Sequence, residues 1–273
     1  AVYEPTYTRN STKTTTTTNT NTVTTTPDET KEPTATVTET VNEPDPMEGK
    51  VISKLTGLPI PEELANVRPV GIMINNIPAA LPQSGIGQAD VIFETLVEGG
   101  QTRLFAIFQQ YDEDKIGPIR SARHYFLNFA LDFDAVYIHY GESYLCIPKY
   151  KEWNVSHMNG LSYLDEIMCY RTSDRKAPHN AYTSYKGIQA GLKSTKIRAE
   201  EKEDYVYGIK FHEVEKDLVS GTVANKVTIP MSTVQTSYFE YDQETKQYLR
   251  YQFNKKHIDD QTGEQLIAKN ILI

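Results

Sequence analysis

The sequence predicts an α+β protein, with a mixed α/β main domain, a smaller β-rich domain after it and a disordered threonine-rich tether in front. Three observations lead to this prediction. Residues 1–50 contain 18 threonines and no Ile, Leu, Phe, Trp or Cys. Strand-like and helix-like apolar patterns alternate over residues 51–195, which is typical of a mixed domain. Over residues 205–273 the apolar runs are short and rich in Val, Tyr and Thr, which favours β-structure.

The N-terminal 50 residues lack the apolar side chains that a packed core requires. Thr14 to Thr18 form an unbroken threonine run, and four prolines follow between Pro27 and Pro46. Ordering a chain costs roughly 1–2 kcal/mol per residue, which this segment cannot offset by burial. We predict an extended tether, either an inert linker or a stalk that holds the folded part away from a membrane or wall. Because the chain begins at Ala1 rather than Met, we also expect that an upstream segment was removed.

The main domain is expected to contain both strands and helices. Apolar runs predict strands at four places, residues 70–75, 91–98, 104–111 and 135–141. Gly99-Gly100 lies between two of these runs and is typical of a hairpin turn. Apolar residues at helical spacing predict helices at 121–133 and 185–193.

A charged segment, residues 196–204, follows and predicts a linker or an exposed helix. The β-rich domain after it contains four predicted strands, residues 209–214, 227–230, 234–241 and 248–254. The polar residues 242–246 lie between two of them and predict a hairpin. Because the chain stops on the apolar run 270–273, we expect that this domain is truncated.

Composition excludes several classes of function. The net charge of −8 argues against a nucleic-acid-binding protein. The sequence contains no run of 18 apolar residues, so it predicts no membrane-spanning helix. Cys146 and Cys169 lie in apolar runs, so we expect buried free thiols, with a single disulfide as the alternative. The sequence has no nucleophile elbow, paired-histidine zinc motif, phosphate-binding glycine loop or dinucleotide fingerprint. We therefore expect no cofactor and no metal.

The segment 117–123 (GPIRSAR) is the most informative for binding. Pro118 is typical of a first helical turn, which predicts Arg120 and Arg123 on one face near the helix N-terminus. Cations are unfavourable there, so the pattern indicates a bound anion that the backbone N–H and guanidinium groups would hold. The alternative is that the two arginines pair internally with one of three nearby acids, Asp90, Glu94 or Glu98.

Two histidines are candidates for general acid/base catalysis. His179 lies in a Pro-His-Asn turn, and loops carry function more often than cores do. His139 lies within an apolar strand, where a buried core role is the alternative. Glu98 or Asp90 would be the acidic partner of either histidine. A divalent ion on the acids of this region would match no known metal-binding spacing.

Further polar residues near these segments are predicted to bind the same ligand, namely Arg103, Arg171, Asn75 and Asn180. Arg103 follows the glycine turn and, together with His179, is expected to form the walls of the anion site. The two asparagines could donate neutral hydrogen bonds to a polar ligand. Turn formation alone is the alternative for them.

Four separated motifs place the sequence near a known family. They are Asn75–Arg103 (NNIPAALPQSGIGQADVIFETLVEGGQTR), Ile116–Phe126 (IGPIRSARHYF), Ile138–Ser143 (IHYGES) and Ala177–Tyr182 (APHNAY). With these motifs in this order, the sequence resembles the YerB-like family, exported lipoproteins of Gram-positive bacteria whose domains have no known function. The resemblance covers residues 54–195 as the main domain and residues 205–273 as the beginning of the smaller C-terminal domain.

This resemblance implies an extracytoplasmic location, a membrane-proximal tether and two domains, and it implies no activity. The chain departs from the family pattern in two ways. It has no lipobox cysteine, and it ends before the glycine-rich stretch and tryptophan expected of the C-terminal domain.

Three functions remain open at the level of sequence. The first is a cell-envelope binding protein whose arginine-rich pocket holds an anionic wall polymer, lipid headgroup or peptide carboxylate. The second is a hydrolase or transferase that acts on cell-wall glycan or phosphodiester, and the third is a structural envelope scaffold. Arginines without an evident nucleophile favour the first. The expected partner is a cell-wall polymer or another envelope protein, with no nucleic acid and with membrane contact only through an upstream anchor.

Overall fold

The computed structural model describes residues 45–212, 215–216 and 220–273. The predicted tether lies outside these residues except for its last six. The described chain starts with a two-stranded antiparallel ribbon of β1 (Lys50–Ile52) and β2 (Pro59–Pro61). None of the helices in the described ranges is long and apolar enough to cross a bilayer.

A five-stranded mixed sheet forms the centre of the main domain. Its strands are β3 (Val70–Asn76), β4 (Val91–Leu96), β5 (Thr102–Phe108), β6 (Val136–His139) and β7 (His157–Asn159). They are arranged in the order β4-β5-β3-β6-β7. β5 is antiparallel to both β4 and β3, whereas β3, β6 and β7 run parallel to one another. The carboxyl ends of these three parallel strands therefore lie at one edge of the sheet, where α/β proteins commonly bind ligands.

Helices cover both faces of this sheet. They are α1 (Phe126–Asp132), α2 (Cys146–Glu152) and α3 (Tyr185–Thr195). Successive strand residues point to opposite faces, so each strand contributes to two apolar clusters. Ile72 of β3 packs in one cluster with Ile188 of α3, and Met73 packs in the other with Phe126 of α1. The first residue of α2, Cys146, belongs to the α1 side.

Smaller elements complete the two domains. A ribbon of β8 (Cys169–Arg171) and β9 (Ala181–Thr183) precedes α3. The C-terminal sheet contains β10 (Lys226–Pro230), β11 (Thr236–Asp242), β12 (Gln247–Gln252), β13 (Lys255–Lys256) and β14 (Ile267–Ala268). These strands pair antiparallel in the order β10-β11-β12-β13, and β14 also pairs with β12.

Buried polar contacts join the C-terminal sheet to the main domain. The carboxylate of Glu94, on β4, accepts hydrogen bonds from Arg250 Nη2 at 2.7 Å and from Ser237 Oγ at 2.7 Å. The side chains of Glu94 and Arg250 are only 14% and 7% exposed. His257 Nε2 lies 2.7 Å from Gln83 Oε1, and Arg250 Nη1 donates to His257 Nδ1. This arrangement makes the histidine a neutral donor to Gln83.

Asp259 forms a second part of this contact. Its Oδ1 accepts from the backbone N–H of Gly85 at 3.0 Å, and its Oδ2 accepts from that of Gly87 at 2.6 Å. The side chain is almost fully buried. Two backbone donors of the main domain are therefore satisfied by the C-terminal domain.

The α+β class predicted from the sequence is confirmed, and so are most of its elements. The strands predicted at 70–75, 91–98, 104–111 and 135–141 correspond to β3, β4, β5 and β6. The helix predicted at 185–193 corresponds to α3. Three of the four strands predicted in the C-terminal domain are present as β10, β11 and β12, with the predicted hairpin between the last two. Both cysteines are buried and free.

Three elements differ from the prediction. The helix predicted at 121–133 begins only at Phe126, because the residues before it pair with the sheet. No strand is present at 209–212, the described part of the strand predicted at 209–214. Residues 196–204 form neither a helix nor a free linker, since Arg198 pairs with Asp134 at 2.6 Å and Ala199 O accepts from the N–H of Arg68.

Candidate functional site

The candidate site is built at the carboxyl edge of the parallel strands, around the extended segment 117–123. This segment lies between the ends of β3 and β6 and hydrogen bonds to both. The N–H of Arg120 donates to Met73 O at 2.8 Å, and the carbonyl of Arg120 accepts from the N–H of Tyr140 at 3.0 Å. The N–H of Ala122 donates to Gly141 O at 3.0 Å.

This pairing corrects the prediction that Arg120 and Arg123 open a helix. Arg123 precedes α1 by three residues, and the N–H groups of Arg120 and Ala122 are bound to the sheet. They therefore cannot converge on an anion. The entry into the segment depends on Gly117, whose φ of +146° suits glycine and whose Cβ would lie 2.9 Å from the ring of Tyr182.

Three arginines lie together at this edge, and we call Arg103, Arg120 and Arg123 the arginine cluster. Arg123 is paired with Glu98 through two hydrogen bonds, of 2.6 and 2.9 Å. Arg103 is buried and donates to Ser121 O. In the described part of the chain, the half-buried guanidinium of Arg120 has no hydrogen bond or ion pair.

The closeness of these groups shifts their pKa values. Burial, and then the charges of Arg123 and Arg120, lower the pKa of Arg103 to about 10. Burial and the charge of Arg123 also lower the pKa of Arg120. The hydrogen bonds from Arg123 lower the pKa of Glu98 to about 2. The cluster thus has three positive charges in mutual repulsion and one carboxylate beside them.

His179 and Asn75 form the neighbouring wall. Asn75 Nδ2 lies 2.8 Å from His179 Nδ1, so the amide donates and the imidazole accepts. Burial and then the charge of Arg120 lower the pKa of His179, which favours its neutral form. Asn75 is also the direct cross-strand neighbour of Arg103 in the β3–β5 pairing. These sequence-predicted residues are therefore brought together.

Arg171 and Asn180 bind each other rather than the arginine cluster. Arg171 Nη1 donates to Asn180 Oδ1 at 2.7 Å, and Asn180 Nδ2 donates to Thr172 O at 2.7 Å. The Arg171 guanidinium also lies 4.7 Å from the ring centroid of Tyr140. In the described structure no hydrogen bond links this pair to the cluster.

The three acids considered as arginine partners take three different positions. Glu98 pairs with Arg123, whereas Glu94 pairs with Arg250 of the C-terminal domain. Asp90 accepts from the backbone N–H of Gln109 at 2.7 Å, and burial raises its pKa to about 6. Internal pairing therefore applies to Arg123 and not to Arg120.

His139 belongs to a second group, which we call the histidine cluster and which consists of His139, Glu142 and His157. His139 is fully buried, and its Nε2 lies 3.1 Å from His157 Nδ1 and 4.0 Å from Glu142 Oε2. Burial lowers the pKa of His139 to about 3 and that of His157 to about 4, so both are neutral at pH 7. Neither Glu98 nor Asp90 hydrogen bonds to a histidine in the described residues.

Sequence reasoning did not identify Glu142 and His157 as site residues. The spacing His139-x-x-Glu142 was visible in the motif IHYGES. His157 reaches the same place because β6 and β7 are parallel, with Tyr137 opposite His157 and His139 opposite Asn159. That pairing depends on the fold and leaves no local signal.

An open groove of about 1300 Å³ lies elsewhere on the main domain. Its lining includes Arg68 and Val70, at the start of β3, and Glu200 and Glu201 after α3. None of the residues predicted to form the site lines it. The carboxyl edge therefore remains the candidate site on chemical grounds.

Comparison with known proteins gives the family. Residues 55–198 match the N-terminal domain of the family described as "Protein of unknown function (DUF3048)", and residues 227–273 match its C-terminal domain. The chain belongs to the DUF3048 family. This result confirms the family that the motifs predicted.

The chain is similar to the YerB protein of Bacillus subtilis in both sequence and structure. The chain is 33% identical over 232 residues to "Putative lipoprotein YerB" of strain 168, which covers 82% of this chain and 67% of that protein. It is also similar to the crystal structure of the YerB protein, with a TM-score of 0.67 and 30% identity. That similarity covers 80% of this chain and 72% of the YerB chain.

The four motifs that indicated the DUF3048 family all contribute to the carboxyl edge. The first motif supplies Asn75, Glu98 and Arg103, and the second supplies Arg120 and Arg123. The third motif supplies part of the histidine cluster, and the fourth supplies the histidine that contacts Asn75. Segments far apart in sequence thus converge on one place in the fold.

Proposed function

We propose that this protein is a membrane-anchored, extracytoplasmic protein of the cell envelope that binds an anionic ligand through the arginine cluster and His179. The ligand class is a wall polymer, a phosphate or a carboxylate. The observation that carries the proposal is the unpaired guanidinium of Arg120 beside two further arginines. The lipoprotein name of the Bacillus subtilis relative supports the location.

Physical chemistry favours an anion at this place. A buried or half-buried charge is costly unless an opposite charge and hydrogen bonds compensate it. Glu98 compensates Arg123, but Arg103 has only a carbonyl partner and Arg120 has none among the described residues. A phosphate or carboxylate would accept the free donors, and each charge-assisted bond contributes about 1.5–3 kcal/mol.

The test is calorimetric titration of the protein with a phosphate-bearing wall fragment such as a glycerol phosphate oligomer. We expect Arg120→Lys to weaken binding about tenfold or more, because an ammonium cannot present the planar fork of a guanidinium. Arg198→Lys is the matched control, since Arg198 binds Asp134 and lies outside the cluster. It should leave the affinity unchanged.

Thermal unfolding without ligand accompanies the titration. An Arg120→Lys protein with unchanged affinity would contradict the anion site. A fall in melting temperature as large as that of a buried ion-pair variant would show that Arg120 serves the fold instead. Cell fractionation tests the location, for which we expect membrane association and cleavage by protease added outside the cell.

A second candidate function is a hydrolase or transferase that acts on wall glycan or phosphodiester. The observation in its favour is the histidine cluster, which includes the last residue of β6 and lies beside segment 117–123 through the bridge between Ala122 and Glu142. A hydrolase or transferase would convert the same wall fragments and release phosphate or reducing sugar over time. If the protein binds these fragments without converting them, the result favours the anion-binding function over the enzyme.

A further inference from the structure

We infer that His139, Glu142 and His157 form a binding site for one divalent transition-metal ion, with Zn²⁺ as the ion that fits best. This inference departs from the sequence analysis, which predicted no metal. It also goes beyond anion binding, because it concerns different residues and a ligand of opposite charge. The argument rests on the positions of the donor atoms, their supporting contacts and one unpaired carboxylate oxygen.

The donor atoms are close enough to share one ion. His139 Nε2 lies 3.1 Å from His157 Nδ1 and 4.0 Å from Glu142 Oε2, and all three atoms lie within 4.8 Å of one another. Ligand atoms about 2.0–2.2 Å from a tetrahedral Zn²⁺ are themselves roughly 3.3–3.6 Å apart. The separation between the two histidines is already close to this range, whereas Glu142 would have to move toward them by up to about 1 Å.

The surroundings already orient His139 as a ligand. Its Nδ1 lies 2.8 Å from the carbonyl oxygen of Gly141, to which it donates, so the lone pair of Nε2 faces the cluster. Metal-binding histidines usually have such a carbonyl or carboxylate partner on the other nitrogen. The ring of His157 is held as well, since Tyr150 stacks on it at a centroid distance of 3.6 Å.

Glu142 supplies the observation that points most directly to a cation. Its Oε2 is buried and has no hydrogen-bond partner. Its Oε1 accepts a long hydrogen bond, of 3.4 Å, from Asn159 Nδ2, and the Tyr150 hydroxyl lies close enough to interact with the carboxylate. A buried carboxylate oxygen without a partner is costly, and an ion held with two imidazoles would satisfy it.

The donor set selects the kind of ion. Two imidazole nitrogens and one carboxylate suit Zn²⁺ and similar transition metals, whereas Mg²⁺ and Ca²⁺ prefer oxygen ligands alone. Three protein ligands leave a fourth position on Zn²⁺. The hydroxyl of Tyr150 lies 3.2 Å from His139 Nε2 and is a further polar group beside the three donor atoms.

A direct hydrogen bond from His157 Nδ1 to His139 Nε2 is the competing explanation of their short distance. In that case the two rings need no ion, and Glu142 contributes nothing to their contact. The two explanations differ in the effect of Glu142, which a conservative variant can measure. Glu142→Gln keeps the size of the side chain and removes the charge.

The experiment is a calorimetric titration of the full chain with Zn²⁺ after treatment with a chelator, followed by Co²⁺ and its visible absorption. We expect one ion per chain and the absorption of a tetrahedral site. Glu142→Gln and His157→Gln should each weaken binding at least about tenfold, since even the loss of a group that only orients a metal ligand costs this much. Glu152→Gln is the control, because Glu152 is an exposed acid on α2 that pairs with Lys149.

Wild-type protein that binds no Zn²⁺, or a Glu142→Gln protein that binds as tightly as the Glu152→Gln control, would overturn the inference. Melting temperatures of the variants without metal show that they are folded. Arg120→Lys should retain full Zn²⁺ affinity. The metal site and the anion site can therefore fail independently of each other.

Discussion

Burial strongly lowers the pKa of three histidines among the described residues. The pKa of His139 is about 3 and that of His157 about 4, and the pKa of His257 lies well below its usual value because of burial and the charge of Arg250. The imidazole of each of these histidines is therefore neutral in the folded protein. The unfolded chain would bind a proton on each near pH 6.5, so folding excludes these protons.

We therefore expect stability to fall as the pH drops below about 6.5. The unfolded state binds more protons there, and each such proton costs about 1.4 kcal/mol per pH unit. Asp90 acts in the opposite direction, because its raised pKa of about 6 lets the folded state take up a proton first. The net expectation is a loss of about 2–3 kcal/mol per pH unit between pH 6 and pH 5.

Urea unfolding of the chelator-treated, metal-free protein at pH 7, 6 and 5 measures this slope. His257→Gln is the informative variant, because it removes one of the three histidines that take up a proton on unfolding. The free energy of unfolding should then fall less steeply with pH, by the contribution of about one proton. A free energy of unfolding that is constant over this range would contradict the neutral assignment of the buried histidines.

At the scale of elements, segment 117–123 shows why part of the fold could not be predicted. The apolar spacing of Ala122, Tyr125 and Phe126 indicates a helix, and a helix does form from Phe126. The residues before it instead hydrogen bond to Met73, on β3, and to Gly141, just after β6. Tertiary pairing thus overrides the local pattern. Strands β3, β5 and β6 were predictable because their apolar runs reflect burial on both faces.

Helix α3 provides the test at this scale. Gly187 lies inside it, where replacement by alanine would ordinarily stabilise a helix by about 1 kcal/mol. Here the added Cβ would lie 2.5 Å from the carbonyl oxygen of Met168. We expect Gly187→Ala to destabilise the protein by about 1–3 kcal/mol, as overpacking does.

Urea unfolding gives the comparison, with Lys186→Ala as the control on the exposed side of the same helix. The control should change stability by less than about 0.5 kcal/mol. A Gly187→Ala protein more stable than wild type would mean that α3 does not pack against Met168 as described.

The candidate site was predictable only in part, for a related reason. Arg103, Arg120 and His179 were identifiable because charged residues in turns and at strand ends are visible in the sequence. Glu142 and His157 join a cluster only through the parallel pairing of β6 and β7. The contact between Glu94 and Arg250 spans 156 residues and has no sequence signal at all.

At the scale of the whole molecule, buried polar contacts tie the C-terminal sheet to the main domain. We expect Asp259→Ala to lower the free energy of unfolding by at least about 2 kcal/mol, because the N–H groups of Gly85 and Gly87 would lose their acceptor. The same variant should increase hydrogen exchange at these two amides. The domain boundaries, residues 51–195 and 205–273, stay a prediction that such measurements can examine.

Glu244→Ala is the control for this experiment, since Glu244 lies in the exposed hairpin turn between β11 and β12. Exchange at Gly85 and Gly87 should be the same in this control and in wild type. If exchange and unfolding of the Asp259→Ala protein also match those of wild type, the contact of Asp259 with Gly85 and Gly87 contributes no stability.

Asn75 and Asn76 are neighbours on β3, yet their side chains serve different partners. Asn75 contacts His179 at the candidate site, whereas Asn76 donates to Glu94 at the contact between the domains. The peptide oxygen between them accepts from Gln83, which in turn accepts from His257 of the C-terminal sheet. The backbone of Asn75 at the candidate site is therefore linked through Gln83 to His257 of the C-terminal sheet. We expect docking of the C-terminal sheet and occupancy of the arginine cluster to stabilise each other, so that His257→Gln weakens binding of the wall fragment in the same calorimetric titration.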